Sequence, residues 1–208
     1  MEYAVLGWPE DEPTLRLDYR RFAYAGKFVM SNTGKAVVRD ASAGGVSDDA
    51  GATDFDTDVV AALAFNADRT DAATLWYRYV TVRADRKGAG LGPRLARYVA
   101  PQAAARGYER LRIAVNNPFA YEAMYKAGFA WTGRETGVAE LVLERPAGDA
   151  AASETADPIT YQRGLDRYRD RDLGDPEASF LAGQIGSDPP AVVAAPESAA
   201  GSAPDPDA

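Results

Sequence analysis

Three glycines at alternate positions, Gly88, Gly90 and Gly92, lie in the stretch Arg86-Lys-Gly-Ala-Gly-Leu-Gly-Pro-Arg94. Glycine tolerates positive φ and lets a backbone approach a ligand closely, so successive N–H groups can converge on one point. A β-branched and aromatic run precedes the glycines and an amphipathic run follows them, so a helix N-terminus adds the positive end of its dipole. Arg86, Lys87 and Arg94 bring positive charge to an otherwise acidic chain. These features predict a cradle for a pyrophosphate. The plainer alternative for the same residues is a glycine-rich strand-to-helix turn that holds nothing.

Other phosphate motifs fit less well. Gly92 is followed by Pro93-Arg94 rather than Lys-Ser or Lys-Thr, which excludes a P-loop. A dinucleotide site wants an acidic residue at the end of the next strand, and Leu111 to Asn116 ends in Val-Asn-Asn. The chain has no Cys and no His. A Ser-His-Asp triad, an imidazole base and imidazole or thiolate metal sites are thereby excluded, and no metal is expected. The remaining proton-transfer candidates are tyrosines, carboxylates and a water chain. Glu122 and Glu140 are the base candidates, each with a solvated surface carboxylate as the more ordinary reading.

Several elements must position these groups. Thr14 to Tyr24 alternates apolar and polar and predicts a first strand. A turn at Asn32-Thr33-Gly34 leads into a second, ending near Asp40. Ala41 to Asp58 is rich in Gly, Ala and Asp and reads as a flexible acidic loop. Val59–Phe65 and Ala73–Arg83 predict two further strands, the second running into the glycines. Pro93–Arg106 reads as a helix stopped by Gly107 and kinked by Pro101. Leu111–Val115 predicts a strand, Pro118–Ala127 a helix ended by Gly128, and Phe129–Thr132 and Ala139–Glu144 two closing strands. The order is β, β, β, β, α, β, α, β, β within a domain of residues 1–146. Residues 147–186 read as a linker with an accessory helix at Tyr161–Leu173, whose Leu165 and Tyr168 share a face. It could dock on the core, build a homodimer or stand in solvent. Residues 187–208, rich in Pro, Ala, Ser and Asp, predict a disordered tail.

Lys87-Gly-Ala-Gly-Leu-Gly92 resembles the coenzyme A pyrophosphate loop of the GNAT (GCN5-related) N-acetyltransferase family, (Gln/Arg)-x-x-Gly-x-(Gly/Ala). Val82 falls where that family has a valine ending its splayed fourth strand. Asn117-Pro-Phe-Ala120 followed by Tyr125-Lys-Ala-Gly-Phe129 resembles the family's later motif, and the resemblance covers roughly Val59 to Glu144. It implies an α/β (α+β) fold with a central mixed, mostly antiparallel sheet, splayed strands and flanking helices. The N-terminal helical region is shortened, since Tyr24 to Val38 is too short for the family's two helices. The resemblance also implies acetyl-CoA as co-substrate. Val80 and Val82 would pair with the pantetheine arm, and an N–H near Val82 would polarise the thioester carbonyl. Lys87 and the N–H groups of Gly88, Ala89, Gly90 and Gly92 would hold the pyrophosphate, and Asn117 would meet the pantetheine or a water. Tyr125 would act as general acid, with Tyr121 as second choice. An amine of a small molecule or peptide would attack directly, without a covalent enzyme intermediate. Three departures stand out: Met124 takes the family's usual tyrosine place, Pro93 removes one amide donor, and the front is short. An acyl-CoA-binding or interaction module without catalysis is the alternative on the same fold.

Composition bounds the partners. Net charge is −8, nearly all positive charge is Arg, and Asp outnumbers Glu. That surface suits a salt-adapted host or an acidic protein from a GC-rich genome. No clustered basic face offers itself to nucleic acid. The start MEYAVLGWPEDEP lacks a signal-peptide pattern and no apolar run approaches the ~20 residues that span a bilayer, so no membrane partner and a cytoplasmic location are expected.

Overall fold

The computed structural model describes residues 1–43, 55–148 and 157–196. A seven-stranded mixed sheet organises the chain, in the order β1-β2-β3-β4-β5-β7-β6. Its strands are β1 (Glu2–Gly7), β2 (Gly34–Arg39), β3 (Val59–Ala67), β4 (Thr74–Val82), β5 (Arg110–Val115), β6 (Ala130–Glu135) and β7 (Leu141–Pro146). Helix α1 (Leu91–Ala105) joins β4 to β5 and α2 (Pro118–Lys126) joins β5 to β6. Helices α3 (Pro158–Arg169) and α4 (Asp175–Gly183) follow the sheet. Only β4 and β5 run parallel, as a helical crossover between neighbours requires; the other pairs are antiparallel.

Two apolar layers sandwich the sheet. On one side Ala36, Val38, Leu63, Phe65, Leu75 and Tyr77 pack under α1, α2 and α3. On the other, Val37, Val59, Ala62 and Ala64 are covered by Leu15, Leu17, Phe22, Ala25 and Phe28. Successive strand residues thus enter opposite layers, which is why residues 36–38 of β2 and 59–65 of β3 are unbroken apolar runs.

The front half corrects the sequence reading. The first strand is Glu2–Gly7, not Thr14–Tyr24, which carries no strand assignment. That segment crosses the face of the sheet: Leu15 N–H donates to Phe28 O, and Asp56 N–H to Arg16 O. Its alternation records burial on one side rather than membership of a ladder. The interval between the first two strands is therefore residues 8–33, longer than supposed. Among the described residues it holds only the 3₁₀ turns Pro9–Asp11 and Ala25–Lys27. Helix α1 runs unbroken through Pro101.

At the other end, the accessory helix docks on the core, with Tyr161, Leu165 and Tyr168 fully buried. Helix α4 was not foreseen, although Pro176 in the first turn and the early acids Asp175 and Glu177 are helix-start signals. Within residues 187–196, expected to be disordered, Val193 N–H donates to Lys126 O of α2 at 2.8 Å. Most of the acidic loop (44–54), most of the linker (149–156) and the last twelve positions (197–208) lie outside the described residues.

Candidate functional site

Strand β4 begins paired with β5 and leaves it halfway. Thr74 to Tyr77 match Arg110 to Ile113, and no β4 residue beyond Tyr77 has a β5 partner. The other edge of β4 gives the cause. Phe65 faces Tyr77 and Ala64 faces Tyr79, so Arg78 is an extra residue, a β-bulge. A bulge bends its strand and sharpens the local twist, which turns the rest of β4 away from β5. Arg78 is braced there by Nε donating to Asn66 Oδ1 at 2.7 Å and by stacking on Trp76 at 4.6 Å. Beyond the bulge β5 stays with β7, as Ala114 and Val115 face Val142 and Leu141. The result is a wedge-shaped gap between Val80–Val82 and Ala114–Val115.

The register shows which backbone groups face this gap. Arg83 N–H donates to Val60 O at 2.9 Å, and Ala61 is opposite Val82. Residues on an antiparallel strand alternately aim their peptide groups at the partner and away from it. Thr81 and Arg83 therefore face β3, while the N–H and C=O groups of Val80 and Val82 face the gap. Their side chains stand perpendicular to the sheet, under α1. A Cβ on Gly92 would stand 3.6 Å from both Val80 Cγ1 and Val82 Cγ2.

The glycine loop closes the end of the gap. Gly88 (φ 81°) and Gly90 (φ 72°) are left-handed, and Gly90 is the N-cap of α1. Among the described residues, the N–H groups of Gly88, Gly90, Leu91 and Gly92 have no acceptor. The first intrahelical bond is Arg94 N–H to Gly90 O at 3.3 Å, and Pro93 has no N–H. Ala89 differs from its expected role, because its N–H turns back to Arg86 O at 3.4 Å. Arg94 Nη1 donates to Ala89 O at 2.9 Å and so braces the loop, and Arg86 is paired with Asp40 at 3.1 Å. Lys87 is exposed beside the free amides.

The expected acid is elsewhere. Tyr125 is buried, and Trp131 N–H of β6 donates to its hydroxyl at 3.0 Å. β7 stands between β6 and β5, so this hydroxyl lies roughly two strand spacings, about 10 Å, from β5 on the side away from β4. The structure does not bring Tyr125 to Val82. Its hydroxyl is 3.1 Å from that of Tyr121, which is 3.2 Å from Tyr161 O. One set of protons satisfies the whole chain: Tyr125 donates to Tyr121, Tyr121 to the carbonyl, and Trp131 N–H to Tyr125. Burial raises the pKa of both tyrosines, as desolvation disfavours the phenolate. The one-residue offset from Met124, ~100° of helix, aims the ring at α3 instead of the gap.

The other candidates have local duties. Asn117 is the N-cap of α2: its Oδ1 accepts from Ala120 N–H at 2.9 Å, and its Nδ2 donates to Asn116 Oδ1 at 3.0 Å. Glu122 pairs with Lys126 at 2.8 Å, and the Glu140 carboxylate stands 3.4 Å from Thr136 Oγ1. On the face opposite α1, the coil is fastened to the end of β4 by Ala84 N–H donating to Arg21 O at 2.9 Å. Tyr24, left-handed at φ 59°, lies 5.8 Å from Tyr79 of β4. No group of three or more metal-ligating side chains occurs among the described residues.

Two features had no signal in the sequence. The extra residue Arg78 shows only in the register against β3, and the free Leu91 N–H shows only once the helix start is placed.

Comparison with known proteins fits this architecture. No curated protein sequence matches the chain significantly. Similar solved structures include a nourseothricin acetyltransferase, 16% identical, covering 71% of this chain and 98% of that one with a TM-score of 0.48. Tetrahymena GCN5 is 16% identical over 60% of this chain and 75% of its own, with a TM-score of 0.44. An aminoglycoside 6'-N-acetyltransferase complexed with coenzyme A is 11% identical over 56% and 73%, with a TM-score of 0.44. The model of the acetyltransferase (GNAT) family matches residues 7–129, from the end of the first strand through the glycine loop to the end of the Asn117–Phe129 motif. That span exceeds half of the 208 residues, and the chain belongs to the GNAT family of acetyltransferases.

Proposed function

We propose that this protein transfers an acetyl group from acetyl-CoA to an amine of a small molecule or peptide, by direct attack. The observation that carries the reading is the unpaired edge of β4, which ends in a loop of free N–H groups. An extended amide-bearing arm can lie along Val80–Val82 as a surrogate strand, with its diphosphate on the amides of Gly88, Gly90, Leu91 and Gly92 and beside Lys87. The gap-facing N–H of Val82 then meets the thioester carbonyl, where negative charge grows as the amine attacks.

Proton traffic follows from what the gap lacks. The amine nitrogen forms the new C–N bond and releases one proton to solvent, the C–S bond breaks, and the electron pair leaves on sulfur. An alkyl thiol ionises near pH ~8.5, so the thiolate departs and takes its proton from solvent without Tyr125. The attacking amine must be neutral. With Glu122 held by Lys126 and no His in the chain, solvent equilibrium supplies that form. Accordingly kcat/KM rises with pH, about tenfold per unit, until it levels at the pKa of the acceptor amine, and the plateau moves from amine to amine.

Thiol release from acetyl-CoA with a panel of primary amines tests the proposal. Acetyl-CoA binding with no thiol release from any amine would overturn it. It would favour the second reading, an acyl-CoA-binding module, which the removal of the Tyr125 hydroxyl to β6 supports.

A further inference from the structure

Strand β5 ends where it has already lost β4 and is held on one side only, by the β7 ladder that reaches Val115 opposite Leu141. Two further donors reach its last carbonyls from α3 and the residues just after it. Tyr168 Oη donates to Val115 O at 2.9 Å in a buried contact. Arg171 Nη1 donates to Asn116 O at 3.3 Å, and its Nη2 reaches Ala139 O in the β6–β7 connection. The Arg171 guanidinium lies 4.6 Å over the Tyr168 ring, so the two side chains act as one clamp. The next residue is Asn117, the cap that starts α2. The same helix covers the outer face of α2: Tyr161 O receives Tyr121, and Gly164 leaves room for the Tyr121 hydroxyl, which any Cβ there would overlap.

We infer that Tyr168 and Arg171 are positioning residues for the acyl-CoA site, acting through the carbonyls of Val115 and Asn116 to hold the β5 wall of the gap at a fixed distance from β4. The gap has one wall set by the Arg78 bulge and one held by β7 and by a helix outside the sheet. A strand end secured by one ladder alone frays more readily than one whose last carbonyls also receive side-chain donors. A gap with a frayed wall must be ordered each time a ligand enters, which weakens binding without touching the groups that meet the thioester.

The inference rests on the acyl-CoA reading of the gap, and the test separates the two. Acetyl-CoA affinity, steady-state kinetics and amide hydrogen exchange over residues 113–121 are measured for the unaltered chain and for Tyr168→Phe, Arg171→Ala and Arg171→Lys. Tyr168→Phe removes one hydroxyl and keeps the ring, and Val5→Ala on the edge strand serves as a control for general loss of stability. Each of the first two variants is expected to speed exchange at 113–121 in the free protein. Each should weaken acetyl-CoA about fivefold, the worth of one hydrogen bond of ordinary strength. KM for acetyl-CoA should rise while kcat is nearly kept, and Arg171→Lys should recover part of the loss. If the variants bind like the unaltered chain, or behave like Val5→Ala, the clamp is structural only and the inference fails. If the unaltered chain does not bind acetyl-CoA, the acyl-CoA reading fails and this inference falls with it.

Discussion

The glycine loop and the tyrosine cluster were both drawn from the sequence as chemistry, and they ended in opposite conditions. In the loop, Gly88, Gly90, Leu91 and Gly92 offer N–H groups with no acceptor among the described residues, and the nearby cation Lys87 is exposed. In the cluster, the hydroxyls of Tyr121 and Tyr125 and the N–H of Trp131 form a closed relay inside the core. Unsatisfied groups at a surface are available to a ligand, whereas satisfied groups in a core hold the fold. The state of its hydrogen bonds, more than the residue type, decides which part a motif plays.

The sharpest way to break this contrast is at Gly164. Glycine in a helix interior normally gains stability on replacement by alanine, but here the methyl overlaps the Tyr121 hydroxyl. Gly164→Ala is expected to lower stability by about 1–3 kcal/mol through overpacking, and Tyr121→Phe in the same chain to restore part of it, as read from urea midpoints. On the loop side, Gly90→Ala forces a side chain to φ 72° beside Arg94. If the empty loop relaxes to relieve that strain, ~1–2 kcal/mol, the diphosphate must restore it on binding, so acetyl-CoA should weaken by about tenfold, measured by calorimetry, with little change in folding. Tyr125→Phe should cost about 1 kcal/mol of stability and leave kcat within about twofold. A large fall in kcat with unchanged stability would return Tyr125 to the reaction.

A further prediction concerns Lys35, a buried ammonium whose Nζ donates to Met30 O, Thr33 O and Thr33 Oγ1. Every bond is made, but no carboxylate is among these partners, and burial pushes its pKa from 10.5 down to about 8. Between those two values the unfolded chain binds the extra proton, so stability rises with pH across that window. Urea midpoints at a series of pH values should show the slope, and Lys35→Met should flatten it.

Legibility followed the range of the interactions. Strands β3, β4 and β5 and helices α1 and α2 were readable because their apolar periodicity and their Pro and Gly punctuation are local. Glu2–Gly7 was missed because the stronger alternation at Leu15 and Leu17 drew the assignment, and alternation reports one-sided burial whether or not a ladder exists. The glycine loop was legible as a strand-to-helix turn with free amides since glycine spacing and a following helix define it within ten residues or so. The place of Tyr125 was not, because it depends on Tyr161 and Gly164, some forty positions later in the chain.

The bulge at Arg78 has one more consequence. The opening beside β4 is written in the length of that strand and not in any side chain. Exchanging Arg78 for another residue keeps the count, and the strand should still part from its neighbour. Deleting it would make Phe65–Tyr77 and Ala64–Tyr79 consecutive pairs of a regular ladder, remove the bend and let the gap-facing edge of Val80 and Val82 zip against β5. A channel of this kind tolerates drift in composition and is lost by a single missing codon.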